Sequence, residues 1–260
     1  MINRNIILLL SAIVLVGCSG SNTICGYDEY GDPIYCPVTS QASYYSPQNG
    51  VTTPPVSSTL TFPVQQSLRN IASTPYSFNV SASDGVNSYN LQYNSTPVIG
   101  NLNFNGVISP AQRIETLVIT ENGVPLSSSN KTIVFQTTNP LVPLGSFRDG
   151  MSSFEVDQGV QILPAFGLVG QIYPYFSGHI YRDSAQSVLD ATTTESISLQ
   201  PDTATTALLC SQDDFNLTPT GNIDQLSGFS QSTCFRIDSQ SNVLGVVLTI
   251  PVNGSLLNFQ

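Results

Sequence analysis

Residues that could perform acid–base chemistry are few and scattered along this chain. His179 is the only histidine among 260 residues, and no Gly-x-Ser-x-Gly motif accompanies it. A Ser-His-Asp hydrolase would need His179, but abundant serine and aspartate around a single histidine are not a signal. We therefore expect no catalytic residues and a non-enzymatic protein.

Carboxylates form the next candidates. Glu155 and Asp157 are two residues apart and share one face if their segment is a strand, whereas Asp213 and Asp214 are adjacent, with Asp224 further along. A glycosidase needs two carboxyls, one with a raised pKa, and calcium needs several converging oxygens. No Asp-x-Asx-x-Asx-Gly calcium motif occurs, so the pattern favours solvated acidic loops and predicts no metal.

The composition limits the kinds of protein that remain. Charged residues make up 9% of the chain, against about 25% in an ordinary globular domain. Hydrophobic residues at 40%, with 12 Phe and 11 Tyr, are enough for a core. The net charge of −10 and the absence of a basic run exclude nucleic acid as the main partner. The surface should be neutral and polar, which suits protein assembly or glycan contact.

The first 18 residues contain the parts of an export signal in order. Arg4 gives a positive start, and residues 6–16 form an apolar run interrupted only by Ser11. This run is too short to cross a bilayer as a helix, but it is typical of a signal-peptide core. It ends in Leu15-Val16-Gly17-Cys18, which resembles the lipobox of bacterial lipoproteins. The resemblance covers residues 1–18 only.

The resemblance implies that residues 1–17 are a signal peptide and that Cys18 is lipidated. Lipoproteins of this type usually carry three acyl chains, and each buried methylene contributes about 0.8 kcal/mol to membrane binding. Ser19, rather than Asp, follows the cysteine, a pattern similar to outer-membrane sorting in Gram-negative bacteria. The implied location is the outer membrane, on its periplasmic or its exterior face.

Four cysteines remain after Cys18, and an even number in an exported chain predicts disulfides. Three pairings are open. We favour Cys25–Cys36 and Cys210–Cys234, because each closes a local loop. A zinc site is not expected, since there is no Cys-x2-Cys pair and one histidine. No cofactor is implied.

The chain is predicted to divide near residue 58. Residues 18–58 are rich in Ser, Thr and Pro and read as a tether. The tyrosine-rich loop between Cys25 and Cys36 is either a recognition element or a pinned part of that tether. In residues 59–260, apolar and polar side chains alternate over short segments, as they do in β-strands. This pattern predicts an all-β fold, a β-sandwich of immunoglobulin-like or related type. The Pro- and Gly-rich residues 139–150 either separate two β modules or form one long loop.

Two hairpins are specified in detail. Asp84-Gly85 is a signal for a two-residue turn, and Asn253-Gly254 is a second. The expected pairs of the first hairpin are Val80–Tyr89, Phe78–Leu91 and Tyr76–Tyr93. Those of the second are Ile250–Leu257 and Leu248–Phe259. Helix signals are weaker, and they fall at residues 64–71 and 184–191.

The leading hypothesis is an outer-membrane lipoprotein that serves as a non-enzymatic structural or interaction component of an envelope or surface assembly. Its expected partner is an envelope protein or a glycan. An adhesin or glycan-binding module is the alternative, with Tyr173, Tyr175, Phe176 and Tyr181 as a platform. A hydrolase with an unrecognised site is the second alternative.

Overall fold

The computed structural model describes residues 24–27, 33–35, 60–108, 110–138, 140–148, 153–219, 232–252 and 255–260. The proposed signal peptide and the cysteines Cys18 and Cys36 lie outside these residues, so lipidation and the Cys25–Cys36 pair stay predictions. Residues 1–51 and 52–260 form two units. In the first, strands β1 (Ile24–Tyr27) and β2 (Pro33–Tyr35) pair in antiparallel fashion.

The second unit is built almost entirely of strands, as its alternating sequence predicts. It contains β3 (Thr61–Phe62), α1 (Val64–Ser73), β4 (Tyr76–Ser83), β5 (Ser88–Val98), β6 (Asn103–Phe104), β7 (Val107–Ile108), β8 (Ala111–Glu121), β9 (Val124–Gln136), β10 (Val142–Arg148), β11 (Phe154–Gln158), β12 (Gly167–Leu168), β13 (Ile172–Tyr181), β14 (Leu189–Pro201), β15 (Thr206–Leu217), β16 (Ser232–Asp238), β17 (Val243–Val252) and β18 (Ser255–Phe259). The all-β prediction is confirmed.

Twelve of these strands form one antiparallel sheet that closes on itself. Apart from the small pairs β6–β7 and β3–β12, each strand lies beside its neighbour in chain order, from β4 to β18. At the two ends of this order, the Ser81 amide donates to the Gln260 carbonyl at 3.3 Å, and the Gln260 amide donates to the Ser81 carbonyl at 3.1 Å. The result is a barrel-like arrangement in which one face of every strand points inward.

The C-terminal hairpin has the predicted register, whereas the first hairpin differs from it by two residues. Ile250 pairs with Leu257 and Leu248 with Phe259, as expected. In the first hairpin, however, Val80 pairs with Leu91 and not with Tyr89.

The carboxylate of Asp84 explains this shift in register. It accepts the backbone N–H groups of Val86 and Asn87 at 2.8 and 2.7 Å, so the turn spans four residues rather than two. Phe78 consequently faces Tyr93, and Tyr76 faces Ser95. Because the shift is two residues, every side chain keeps its predicted face.

The helical spacing at residues 64–71 produces α1, which covers part of the interior. Its buried residues include Val64 and Ile71, and it packs against β8 and β17. The helix predicted at residues 184–191 is wrong, since Asp183 organises a turn there by accepting from Ser187 Oγ at 2.8 Å and β14 begins at Leu189. No helix in the described part of the chain has the length and apolar character needed to span a membrane.

A second, smaller apolar cluster lies on the outer face of the sheet. Phe104 of the short β6–β7 hairpin packs against Phe154, with ring centroids 4.8 Å apart, and Val134 and Val156 complete the cluster. Since successive side chains of a strand point to opposite faces, this outward placement of Phe154 and Val156 directs Glu155 and Asp157 to the inside.

One predicted disulfide is confirmed. Cys210 and Cys234 are direct cross-strand partners on β15 and β16, with Cα atoms 3.9 Å apart and the two sulfurs bonded. Their neighbours Leu209 and Phe235 belong to the inner core, so the bond lies on the outer face and ties two adjacent strands.

Candidate binding cavity

The closed sheet encloses a cavity of about 170 Å³. Its walls come from α1 and from strands β5 to β17, and they divide into an apolar part and a charged part. The apolar part includes Leu68, Ile71, Phe135, Ile197, Leu209 and Leu248. The charged part contains five carboxyl side chains and two cationic ones, which makes this the best candidate for a functional site.

The carboxyls reach the cavity because each occupies an inward position on its strand. They are Glu115 on β8, Glu155 and Asp157 on β11, Glu195 on β14 and Asp213 on β15. Glu115, Glu195 and Asp213 share their faces with apolar residues of the same strand, as Glu195 does with Ile197 and Leu199, whereas Glu155 and Asp157 fill the inward face of the short β11 by themselves. The strand period that builds the core thus also delivers the acids to its interior.

Glu115 is held by an arginine and a tyrosine. Arg113, only 6% exposed, forms an ion pair with Glu115 and donates to the Ile71 carbonyl of α1 at 2.6 Å. The Tyr93 hydroxyl donates to Glu115 Oε1 at 2.5 Å. Burial and the Glu115 charge raise the pKa of Tyr93 well above its usual value, so its hydroxyl keeps its proton.

Lys131 lies among several acids. It is the direct cross-strand partner of Glu115, and its Nζ is 4.0 Å from Glu155 Oε2. Burial lowers the pKa of the Lys131 amine, but the surrounding carboxylates, with Glu155 first, outweigh burial and raise the pKa overall. Lys131 is therefore charged, and it compensates only part of the acidic charge around it.

Glu155 is fixed by its neighbours on β10. Ser146 Oγ donates to Glu155 Oε2 at 2.6 Å. A side chain at Gly145 would place its Cβ 2.0 Å from the Glu155 carbonyl oxygen, and Gly145 has a φ of +144°. Glycine is thus required for β10 to approach β11 closely enough to hold this carboxylate.

Glu195 and Asp213 form a carboxyl pair. They are direct cross-strand partners and interact by a side-chain hydrogen bond. Burial raises the pKa of Glu195 well above its usual value, and the Asp213 charge adds to the effect. Burial raises the pKa of Asp213 to about 6, although Lys131 opposes the rise. The raised pKa values of both partners keep a proton within the pair, which avoids two like charges directly opposite each other.

Asp157 is the least compensated acid of the group. Among the described residues, its Oδ1 is buried and has no hydrogen-bond partner. Its direct cross-strand partner is Gly178 on β13, which has no side chain that could donate a hydrogen bond to the carboxyl. Burial, and then the Glu155 charge, raise the pKa of Asp157 well above its usual value. A buried oxygen without a partner costs free energy, so this group is ready to receive a donor.

The five carboxyls surround the cavity without converging on a point. No group of three or more His, Cys, Asp or Glu residues in the described ranges is arranged to hold a metal ion. An extended molecule that touches several walls fits this layout better than a single ion does. The cavity is about as large as engineered cavities of about 150 Å³ that bind benzene.

The prediction of solvated acidic loops is wrong for Glu155, Asp157 and Asp213. These residues lie on strands β11 and β15, and their inward positions bring all three carboxyls to one cavity. Asp214 is exposed on the other face of β15, and Asp224 lies outside the described residues. Sequence reasoning missed Glu115, Glu195, Lys131 and Arg113. One pattern in the sequence could have revealed Glu195. It stands two residues before Ile197 and four before Leu199, so in a strand it shares the face of these apolar side chains.

The other sequence candidates do not join the cavity as a group. His179 lies on the outer face, where its Nδ1 is 3.2 Å from Gln158 Nε2. Tyr175 and Phe176 are buried and line the cavity, while Tyr173 and Tyr181 are half-buried against the two apolar clusters. These four aromatic residues therefore do not form an exposed platform for a glycan.

No family model, no curated protein and no solved structure matches this chain.

Proposed function

We propose that this chain is a lipid-anchored protein of the bacterial outer membrane, whose closed sheet acts without enzymatic activity as an interaction component of the cell envelope. The observation that supports a binding role is the cavity inside the sheet. A preformed, partly apolar pocket with a few charged groups is the usual form of a small-molecule binding site.

The proposed anchor is supported by the sequence. Residues 6–16 and the Leu-Val-Gly-Cys ending at Cys18 resemble a lipoprotein signal, and residues 18–58 are long enough to hold the folded unit away from a bilayer. The sparse charge of the chain supports contact at short range through hydroxyl and amide groups, because long-range electrostatic steering is weak. An envelope protein is the partner that suits such a surface.

Metabolic labelling and crosslinking test this proposal. We expect labelled palmitate to enter the full chain in a Gram-negative host and to be lost in Cys18→Ala, while the matched variant Cys25→Ala keeps its label. Gentle crosslinking of intact cells should then yield a defined envelope partner with the anchored chain and much less with Cys18→Ala. Label in Cys18→Ala would contradict the anchor, and crosslinks that do not depend on Cys18 would contradict the envelope role.

A hydrolase is the second candidate, because one observation favours it. Glu195 and Asp213 are adjacent carboxyls, and the pKa of Glu195 is raised well above its usual value, as a two-carboxylate mechanism requires of its acid. However, a cavity of about 170 Å³ lies below the roughly 300 Å³ of ordinary ligand pockets, so it does not hold two sugar rings. Release of reducing sugar from oligosaccharides by wild type, and not by Asp213→Asn, would favour the hydrolase.

A further inference from the structure

We propose that the cavity binds a small organic cation, namely a primary amine with a short apolar body. The ammonium group would lie among the cavity carboxyls with Asp157 as its main acceptor, and the body would lie against the apolar wall. This inference rests on the proposed interaction function, for which it names the class of ligand.

The charge of the cavity favours a cation. Five carboxyl side chains line it against Arg113 and Lys131, and both cations are already engaged, Arg113 with Glu115 and Lys131 with Glu155. An anion would bring a further negative charge to a cavity in which carboxyls outnumber cations, whereas an ammonium group supplies three donors and favours the charged form of Asp157 and Glu195. Such charge-assisted hydrogen bonds are stronger than hydrogen bonds between neutral groups.

The unsatisfied Asp157 oxygen is a second observation that points to a ligand. Within the described part of the chain, Asp157 Oδ1 is buried without a hydrogen-bond partner although it lines the cavity. Buried polar atoms in folded proteins almost always have a partner. A donor delivered by a bound molecule satisfies this oxygen, which none of the described side chains does.

The apolar wall distinguishes an organic cation from a metal ion. Leu209, Ile197 and Leu248 line the same cavity as the acids, and their surface gains nothing from a small hydrated ion. The carboxyls of the described residues also fail to converge as metal ligands. A molecule with an ammonium at one end and an apolar body at the other matches both walls at once.

Calorimetric titration of the full chain in detergent with benzylamine tests the proposal at pH 7.5. Benzyl alcohol and benzoate have the same ring without the cation, and calcium chloride supplies a cation without the ring. We expect saturable binding of benzylamine, with the two uncharged or anionic analogues and calcium at least about tenfold weaker, because they lose a charge-assisted bond. Absence of benzylamine binding, or equal binding of benzyl alcohol, would overturn the proposal and leave the anchor intact.

Two variants locate the site. Asp157→Asn keeps the shape and removes the charge, so benzylamine affinity should fall by about tenfold or more, while Asp214→Asn on the exposed face of β15 should leave it within about twofold. Ser211→Leu fills part of the cavity and leaves Asp157 unchanged, although it removes the hydrogen bond between Ser211 and Glu195, and it should also weaken binding by about tenfold. If Asp157→Asn does not fold, the affinity of Ser211→Leu for benzylamine tests whether the ligand binds in the cavity. Unchanged affinity in a folded cavity variant would place benzylamine elsewhere and refute the assignment.

Discussion

The two sides of the closed sheet fill the interior in opposite ways. We call the inward faces of β4, β5 and β16–β18 the apolar side, where Leu91, Tyr93, Ile237 and Phe259 are fully buried. The inward faces of β8–β11 and β13–β15 form the acidic side, where carboxyls take part of the space that apolar residues would otherwise fill. Both sides are built by the same strand period.

This difference separates stability from function. Apolar burial contributes about 25 cal/mol per Å² to folding, whereas a buried carboxyl costs free energy unless it is paired and hydrogen-bonded. The acidic side is incompletely paired, as Asp157 shows. Such a cluster adds no stability to a fold whose apolar side is completely packed. For this reason we assign the proposed binding function to the acidic side.

A carboxylate on the apolar side should produce the largest effect. Leu91→Asp would bury a charge next to Tyr93 and Val80, and we expect it to lower the free energy of unfolding by more than about 4 kcal/mol. Its neighbour Gln92 is exposed on the outer face, so Gln92→Asp should change stability by less than about 0.5 kcal/mol. Urea unfolding measures both, and similar midpoints for the two variants would show that the apolar side tolerates charge as the acidic side does.

Much of the strand architecture was predictable because it depends on local alternation. The C-terminal hairpin pairs Ile250 with Leu257, as its sequence indicates. The first hairpin was predicted with the right faces and the wrong partners, since a side chain, Asp84, enlarges the turn. Turn length depends on such side-chain hydrogen bonds, which strand periodicity does not encode.

The candidate site was less predictable, because it depends on closure. The bonds between Ser81 and Gln260 join positions 179 residues apart in the chain, and only closure converts one face of every strand into an interior. Glu155 and Asp157 were predicted to share a face, but whether that face meets solvent or a cavity is decided by the other strands. Glu195 and Asp213 become a pair only through the β14–β15 register.

The disulfide sharpens the comparison because it joins the two sides. Cys210 lies on β15 of the acidic side and Cys234 on β16 of the apolar side. The chain-entropy model gives about 3 kcal/mol for closing a loop of this size, so Cys210→Ser combined with Cys234→Ser should lower stability by about that amount. In calorimetric melting, a reductant should shift wild type close to the double variant and leave the variant nearly unchanged. Equal melting temperatures without reductant would contradict a stabilising role.

The acidic side should make the protein more stable at mildly acidic pH than at neutral pH. The pKa of Asp213 is raised to about 6 from 3.8, and the pKa values of Glu195 and Asp157 are also raised well above their usual values. Between these values the folded state binds more protons than the unfolded state, so stability falls as pH rises from about 4 through about 6. The other charged side chains lining the cavity are Arg113, Glu115, Lys131 and Glu155.

Thermal melting measures this dependence. We expect the free energy of unfolding to be at least about 1 kcal/mol higher at pH 5 than at pH 7.5. Asp213 alone contributes this much, because pH 5 lies one unit below its pKa of about 6 and one unit corresponds to about 1.4 kcal/mol, and the raised pKa values of Glu195 and Asp157 add to it. Below about pH 4 the trend should reverse, since the lowered pKa values of Asp84, Asp183, Asp202 and Asp238 act in the opposite direction. A melting temperature that rises steadily from pH 5 to 7.5 would show that the acids are charged and well paired.

The smallest predicted effect concerns the carboxyl pair alone. Gln at position 195 keeps the shape of a protonated Glu195 and offers Asp213 both an N–H donor and a carbonyl acceptor, so Glu195→Gln should be nearly neutral at pH 5. As pH rises, wild type loses the Glu195 proton and places two like charges opposite each other, whereas the variant does not. We therefore expect Glu195→Gln to be more stable than wild type by about 1 kcal/mol at pH 8. Asp214→Asn, next to Asp213 on the exposed face, should show no such growth with pH. An advantage of Glu195→Gln that is already complete at pH 5 would mean that Glu195 is charged there, and the carboxyl pair would then be repulsive throughout rather than bridged by a proton.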